Sequence, residues 1–365
     1  MNEVSHVITT IERGGAENQL LILVREQVLL GMNVRVIPLK GDPELLQDLL
    51  ATGAQVDLNI INRPVLVQIA ALRKALSKSN LIHAHLPRAE LLSAFSARKN
   101  FVFTRHNTEP FFPGAPRLLS TALSRFVTLR AVRGIAISEA VRKYLIESGE
   151  VASDFRVDVV LYGIPDYAPT DLFRVKQLKT DLEILDSDFI VGTIARLAPK
   201  KDLSTLLRAF AMTHTNLPNA KLMIIGGGPD HAILACKAAE FGISNRVIWV
   251  GRTSEIYEYL AIMDVFVLTS LYEGFGLVLI EAMVAHCPIV ASNNSAIPEV
   301  LGTGHIGLAQ TSVAEDFASR IMEFSNHEPR EKVLRQQATR IPLFNPRQMS
   351  LKILNIYVEL NLQFD

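Results

Sequence analysis

The sequence predicts an α/β protein made of two doubly wound, mostly parallel sheets, and three observations carry that expectation. Short apolar runs of strand character alternate with helix-like stretches along most of the chain. The alternation breaks once, near residue 166, and then restarts. Several strands run out into loops rich in glycine or charge, which is where sheets of this kind bind ligands.

In the first half, strands are expected at Val4–Thr10, Val34–Leu39, Val56–Ile61, Leu81–His85, Phe101–His106 and Gly134–Ser138. Helices are expected from Ala16 to Leu30 and near Pro43 to Leu50. Leu161-Tyr162-Gly163-Ile164-Pro165-Asp166 then ends a strand with turn residues, and polar sequence runs on to Asp188. This is the expected hinge, with domains at 1–165 and 166–345. Beyond it, strands are expected at Ile190–Arg196, Lys221–Gly226, Val247–Gly251, Val265–Ser270 and Pro288–Ser292. Two sheets of one type joined once read as two Rossmann-like lobes facing each other across a cleft, a favoured place for a small-molecule site.

Composition narrows the function. A chain of 365 residues, 49% hydrophobic and 20% charged, can bury two ordinary cores. Lys+Arg and Asp+Glu each total 37, so the overall charge gives no reason to expect a nucleic-acid partner. Residues 1–165 hold 19 basic and 15 acidic residues, leaving 18 and 22 for the rest, a mild basic excess in the first part. Cys236 and Cys287 sit in apolar contexts and read as reduced core residues. The start Met1-Asn2-Glu3-Val4 lacks the features of a signal peptide, and no apolar run reaches the roughly 18 residues of a spanning helix. The expected location is cytoplasmic.

The most informative stretch is Glu273-Gly274-Phe275-Gly276-Leu277-Val278-Leu279-Ile280-Glu281. One carboxylate falls in a strand-to-helix loop and a second inside the helix that follows. Two glycines between them let backbone approach a ligand, and a helix N-terminus attracts phosphate oxygens. Gly192 to Lys201 adds Arg196 at a strand end and Lys201 near the next helix, a pair suited to a diphosphate. Gly226-Gly227-Gly228-Pro229 could admit a base or ribose. Near the start, Glu12-Arg13-Gly14-Gly15-Ala16-Glu17 is a tight loop entering a helix, neither a dinucleotide fingerprint nor a P-loop.

Histidines mark the first half. His83 and His85 close one strand and His106 closes the next. A metal centre on the three is the less favoured reading, since no acidic residue joins them in a metalloenzyme pattern. His83 is expected to be partly buried, and His106, where a strand opens into a loop, is the better site candidate. Segment 111–133 carries Arg117, Arg125, Arg130 and Arg133 among leucines. It reads first as a crossover helix and second as a peripheral contact with the anionic inner membrane, with Phe111-Phe112-Pro113 as an apolar loop for a greasy acceptor.

These motifs together resemble the retaining glycosyltransferases of family 4, over nearly the whole chain. The resemblance implies the GT-B fold, two Rossmann-like domains with a C-terminal helix, here 346–365, crossing back to the first. It implies that Gly14 and Gly15 close on the donor diphosphate and that Arg196 and Lys201 stabilise it. His106 would reach the sugar, Glu273 would hold sugar hydroxyls and Glu281 the ribose, with Gly274, Phe275, Gly276 and Leu277 lining the donor. Ile164-Pro165-Asp166 is similar to the family hinge with a proline inserted, and Ser138-Glu139 to its Ser-Glu pair. Two departures stand out: Asn293 to Glu299 keeps Pro298-Glu299 without the preceding glycine pair, and Leu271-Tyr272 replaces a polar lead.

The expected activity is therefore hexosyl transfer, with retention and without a metal, from a UDP- or GDP-linked sugar to a hydroxyl of a glycan or lipid-linked glycan. Surface polysaccharide, lipopolysaccharide or glycolipid assembly is the expected setting. The co-substrate is the nucleotide sugar, and no separate cofactor is expected. An epimerase on the same fold and a catalytically silent nucleotide-sugar-binding module stand as alternatives, with a metallohydrolase behind them.

Overall fold

The computed structural model describes residues 3–79, 81–97, 101–165 and 170–362. The chain divides into two compact units, Met1–Pro165 with Leu343–Asp365, and Asp166–Pro342. Of the hinge read from the sequence, Asp166 lies outside the described residues.

The first unit carries strands β1 (Glu3–Ile8), β2 (Asn33–Pro38), β3 (Gln55–Val56), β4 (Leu81–His85), β5 (Phe101–Arg105), β6 (Arg133–Ala136) and β7 (Val157–Val159). Its helices are α1 (Gly15–Leu29), α2 (Leu46–Ala51), α3 (Val65–Ala75), α4 (Pro87–Ser96), α5 (Arg117–Arg130) and α6 (Glu139–Glu147). The sheet is parallel, in the order β3-β2-β1-β4-β5-β6-β7. Every residue of β4 and β5 is buried, because helices cover both faces of a parallel sheet and leave no solvated side. Register places His6 of β1 directly beside His83 of β4, and His85 beside Thr104 of β5.

The second unit carries α7 (Leu172–Asp181), β8 (Phe189–Ile194), α8 (Leu203–Asn216), β9 (Ala220–Ile225), α9 (His231–Glu240), β10 (Val247–Gly251), α10 (Ile256–Leu260) and β11 (Val265–Leu268). It continues through α11 (Leu277–Val284), β12 (Ile289–Ser292), α12 (Ile297–Leu301), β13 (Leu308–Ala309), α13 (Ala314–Glu323) and α14 (His327–Ala338). Its parallel sheet runs β10-β9-β8-β11-β12-β13. Strand order reverses between β8 and β11, the topological switch point at which such sheets bind ligands. Leu206, Phe210, Leu222, Ile224, Val267, Phe317, Ile321 and Phe324 form the centre of its core.

The last helix, α15 (Pro346–Leu362), belongs to the first unit and packs on α1. Gly163 allows the approach: a Cβ there would lie 2.5 Å from Pro346 Cα. Ile164 N–H donates to Phe344 O at 2.8 Å. No helix among the described residues is long and apolar enough to cross a membrane.

The structure corrects several expectations. The strand read at Val56–Ile61 stops at Val56, because Asp57 turns the chain by accepting from the backbone and side chain of Asn59. The polar stretch before Asp188 contains helix α7, capped by Asp171, whose carboxylate accepts from Phe173 and Arg174 N–H. Cys236 is exposed on α9 instead of in a core, while Cys287 is buried and its thiol is pushed up to about 12 by desolvation. Phe111 is not available to an acceptor: it is 1% exposed and lies under the Arg105 guanidinium, 4.3 Å from ring centre to Cζ. His83 is fully buried, not partly so.

Candidate active site

In the second unit, the two loops at the switch point bring charge together. The exit of β8 passes Arg196 and a 3-10 turn, Pro199–Lys201, before α8 begins. The exit of β11 runs from Thr269 to Gly276 before α11. Lys201 Nζ lies 2.5 Å from Glu273 Oε1, with the two side chains only 15% and 12% exposed. Such a pair is better shielded from water than the surface bridges that contribute about 0–1 kcal/mol. Ser270 Oγ donates to the same carboxylate oxygen at 2.6 Å.

Backbone bonds lock the two loops to each other. Leu271 N–H donates to Lys200 O at 2.8 Å, and Thr269 Oγ1–H donates to Lys201 O at 2.9 Å. Glu273 N–H donates to Ser295 Oγ at 2.8 Å, and Asn294 Nδ2 donates to Leu271 O at 2.6 Å. Asn294 and Ser295 lie in the loop after β12 that leads to Pro298-Glu299. Here their side chains brace the Glu273 loop, and Ser295 takes a left-handed backbone (φ 46°) to do so.

Gly276 caps α11 with φ 88°, a conformation open to glycine at little cost. It aims the first amides of an apolar eight-residue helix out of the loop. Leu277 is the first residue of that helix, Gly274 and Phe275 precede it, and Phe275 is buried. Glu281 is half-buried one turn further on. Its carboxyl is pushed up to about 7 by burial, and no hydrogen-bond partner of it is found among the described residues. Arg196 is exposed and has no ion-pair partner among the described residues.

The glycine run Gly226-Gly227-Gly228 has a different place from the one its composition suggests. A Cβ on Gly226 would sit 2.0 Å from Ala195 O, and one on Gly228 2.1 Å from Leu197 O. Gly227 O accepts from Leu197 N–H at 3.1 Å. Two of these glycines are thus seats for the backbone that carries Arg196.

In the first unit, Gly14 and Gly15 open α1, where no side chain caps the helix. Gly14 has no left-handed backbone; a Cβ on it would meet Glu17 Oε2 at 2.5 Å. Glu17 Oε1 accepts from Thr10 Oγ1 at 2.6 Å, tying the loop to the end of β1.

His106 follows β5 and is half-buried. Its Nδ1 meets the Tyr162 hydroxyl, and its Nε2 lies 3.4 Å from His85 Nδ1. Desolvation, helped by the neighbouring Arg105 charge, lowers it to about 3, so the ring is neutral at physiological pH. Arg105 itself is buried between Glu90 and Glu150, at 2.6 and 2.7 Å. That anchors the end of β5.

His6, His83 and His85 lie with one ring nitrogen each within 4.8 Å of the others. Every ring nitrogen of the three already has a hydrogen-bond partner in the fold: Gln27, His85, Tyr357, Thr104, His6 or His106. The structure therefore sets His83 and His85 in a buried polar chain, where sequence reading had weighed a ligand for them.

Sequence reasoning missed Ser270, Asn294, Ser295, Tyr162, His6 and Gln27. Ser270 and Tyr162 each sit at the end of an apolar run, a signal that could have marked them. The others depend on register and on contacts far apart in sequence.

Comparison with known proteins fits this geometry. Residues 13–165 match the family model described as Glycosyltransferase Family 4, and residues 175–341 match Glycosyl transferases group 1. N-acetyl-alpha-D-glucosaminyl L-malate synthase of Bacillus anthracis is 27% identical over 62% of this chain and 60% of its own length. Alpha-maltose-1-phosphate synthase of Mycolicibacterium smegmatis is 28% identical over 75% of this chain and 73% of its own. Anabaena Alr3699/HepE, solved in complex with UDP and glucose, superposes with a TM-score of 0.84 at 21% identity, over 98% of this chain and all of that one.

Proposed function

The chain belongs to the group 1 glycosyltransferases of family 4, and from that premise we propose that it transfers a hexose, with retention, from a UDP-linked donor to a hydroxyl acceptor. The observation that carries the reading is the switch point of the second unit. There the loops after β8 and β11 carry a Lys201–Glu273 pair and an Arg196 with no ion-pair partner among the described residues, and α11 carries the half-buried Glu281 carboxyl. The UDP and glucose named for the Anabaena structure favour uridine as the base.

In this proposal Arg196, Lys201 and the first amides of α11 take the charge that grows on the leaving diphosphate. Electrostatic stabilisation of that kind is usually the largest single catalytic term. Glu273 accepts from sugar hydroxyls, and Lys201 and Ser270 hold it in place to do so. Glu281 accepts from the ribose. Gly14 and Gly15 serve the diphosphate and His106 the sugar, as the family resemblance implies.

The bond from the anomeric carbon to the diphosphate oxygen breaks as one to the acceptor oxygen forms on the same face. The acceptor proton passes to the leaving phosphate. Retention through a covalent intermediate would need a second carboxylate placed as nucleophile, and none is identified in that role among the described residues. Arg196 and Lys201 do the neutralising for which other sites recruit a divalent ion.

The acceptor we propose is a glycan or lipid-linked glycan. α5 supports it by exposing Leu118, Leu119 and Leu129 on a helix that also carries Arg117, Arg125 and Arg130, a composition suited to an anionic lipid surface.

Two substitutions test the assignment. Glu281→Ala should weaken binding of the bare nucleotide, whereas Glu273→Ala should spare it and impair turnover of the nucleotide sugar. Equal losses of bare-nucleotide affinity would contradict these roles.

A further inference from the structure

The buried histidines of the first unit form one directional chain. Gln27 Oε1 can only accept a hydrogen bond, so His6 Nε2, 2.7 Å away, carries the proton between them. A neutral imidazole has one donor and one acceptor nitrogen, which leaves His6 Nδ1 to accept from His85 Nε2–H at 3.0 Å. His85 Nδ1 then accepts from His106 Nε2–H at 3.4 Å, and His106 Nδ1 accepts from the Tyr162 hydroxyl.

The other end of the amide carries a second branch. Gln27 Nε2 donates to the Tyr357 hydroxyl at 3.4 Å, Tyr357 donates to His83 Nδ1 at 2.5 Å, and His83 Nε2–H donates to Thr104 Oγ1 at 2.7 Å. Turning the Gln27 amide over would reverse every bond in both branches. One side chain on α1 thus sets the polarity of a chain that ends at His106.

We propose that Gln27, His6, His85 and Tyr162 are positioning residues that fix His106 in a single tautomer, with its proton on Nε2 and its lone pair turned to Tyr162. With both ring nitrogens engaged inside the fold, His106 offers the sugar its ring edge and its backbone, and gives up a ring nitrogen only if Tyr162 or His85 lets go. The value of this for turnover rests on the role given above to His106; the tautomer does not.

Burial reinforces the arrangement. His6, His83 and His85 are 0–2% exposed, and desolvation holds all of them below the usual histidine range. The charged groups that act on the chain are Arg105, beside His106, and Glu17, near Tyr162. A proton added to any of the rings would turn an acceptor into a second donor and break the chain.

Nitrogen-15 spectra of the histidine rings test this on the whole chain, with single histidine variants giving the assignments. The wild-type protein should show His106 protonated on Nε2 and not titrating between pH about 5 and 8. A proton on Nδ1, or titration near the free value, would overturn the proposal without any functional variant having to fold. Gln27→Met keeps the length of the side chain and removes the amide that sets the direction of the chain. It should give mixed His106 tautomers and a roughly 10-fold lower kcat, with the donor KM within about twofold. Unchanged tautomer and unchanged kcat would contradict the positioning role. Full activity of His106→Ala would instead remove His106 from the sugar, a failure of the functional reading that the wild-type spectrum keeps separate.

Discussion

The two units place their candidate residues in opposite electrostatic settings. In the first, His106 is neutral, desolvated and satisfied at both ring nitrogens by Tyr162 and a chain of buried side chains. In the second, Arg196 and Glu281 have no partner among the described residues, and only Lys201 and Glu273 are paired. The contrast shows two ways of preparing a site. Geometry can be fixed in advance by a closed polar network, as at His106. Charge can be left incomplete until a ligand of opposite sign arrives, as proposed for the switch point of the second unit. A neutral network costs little to keep buried once every donor has an acceptor. Unpaired charges stay near water, as Arg196 does.

Breaking the charged region should have the largest effect. Lys201→Ala removes a cation from the proposed diphosphate site and leaves Glu273 without its ion pair. It should lower kcat/KM for the nucleotide sugar by about 100- to 1,000-fold in steady-state kinetics. The next effect is structural. Gly226→Ala drives a methyl group into Ala195 O from a backbone with φ 130°. It should cost about 2–3 kcal/mol in denaturant unfolding and weaken nucleotide binding through the displaced Arg196 loop.

A pH titration sharpens the comparison. Glu281 is raised to about 7, so much of it is protonated below neutrality, and it must ionise to act as a full acceptor for ribose hydroxyls. Nucleotide binding should therefore tighten as pH rises through about 7, by about 10-fold between pH 6 and 8, with proton release in calorimetry. Glu281→Gln should flatten that dependence. His106, already neutral, should contribute nothing over the same range. The smallest effect belongs to the exposed leucines of α5. Leu118→Ser and Leu129→Ser, at 87% and 83% exposure, should change stability by no more than about 0.5 kcal/mol while reducing partition onto anionic vesicles.

The fold was legible because parallel strands buried on both faces leave near-continuous apolar runs, and β4 falls where the pattern placed it. Arg196 and Glu273 stood out as candidates for a related reason: each is a charged residue in the loop just past such a run, where sheets of this kind bind ligands. Local side-chain bonds hid the rest. Asp57 ended a strand that composition alone would have extended, and Asp171 started a helix inside a stretch that read as linker. Gly226 and Gly228 showed that close approach was needed but not that it was to Leu197 and Ala195 backbone. The histidine chain joins His6, Gln27, His85, His106 and Tyr162 across as many as 156 positions of sequence, through register and helix docking that no local pattern encodes.

The central claim is that the switch point between β8 and β11 holds a nucleoside diphosphate. Calorimetric titration of UDP, GDP and ADP against the wild-type chain and Arg196→Ala tests it most directly. One nucleotide, UDP, should bind with a stoichiometry of one and lose affinity by about 10-fold or more in the variant. Absence of binding by all three, or binding that Arg196→Ala leaves untouched, would contradict it.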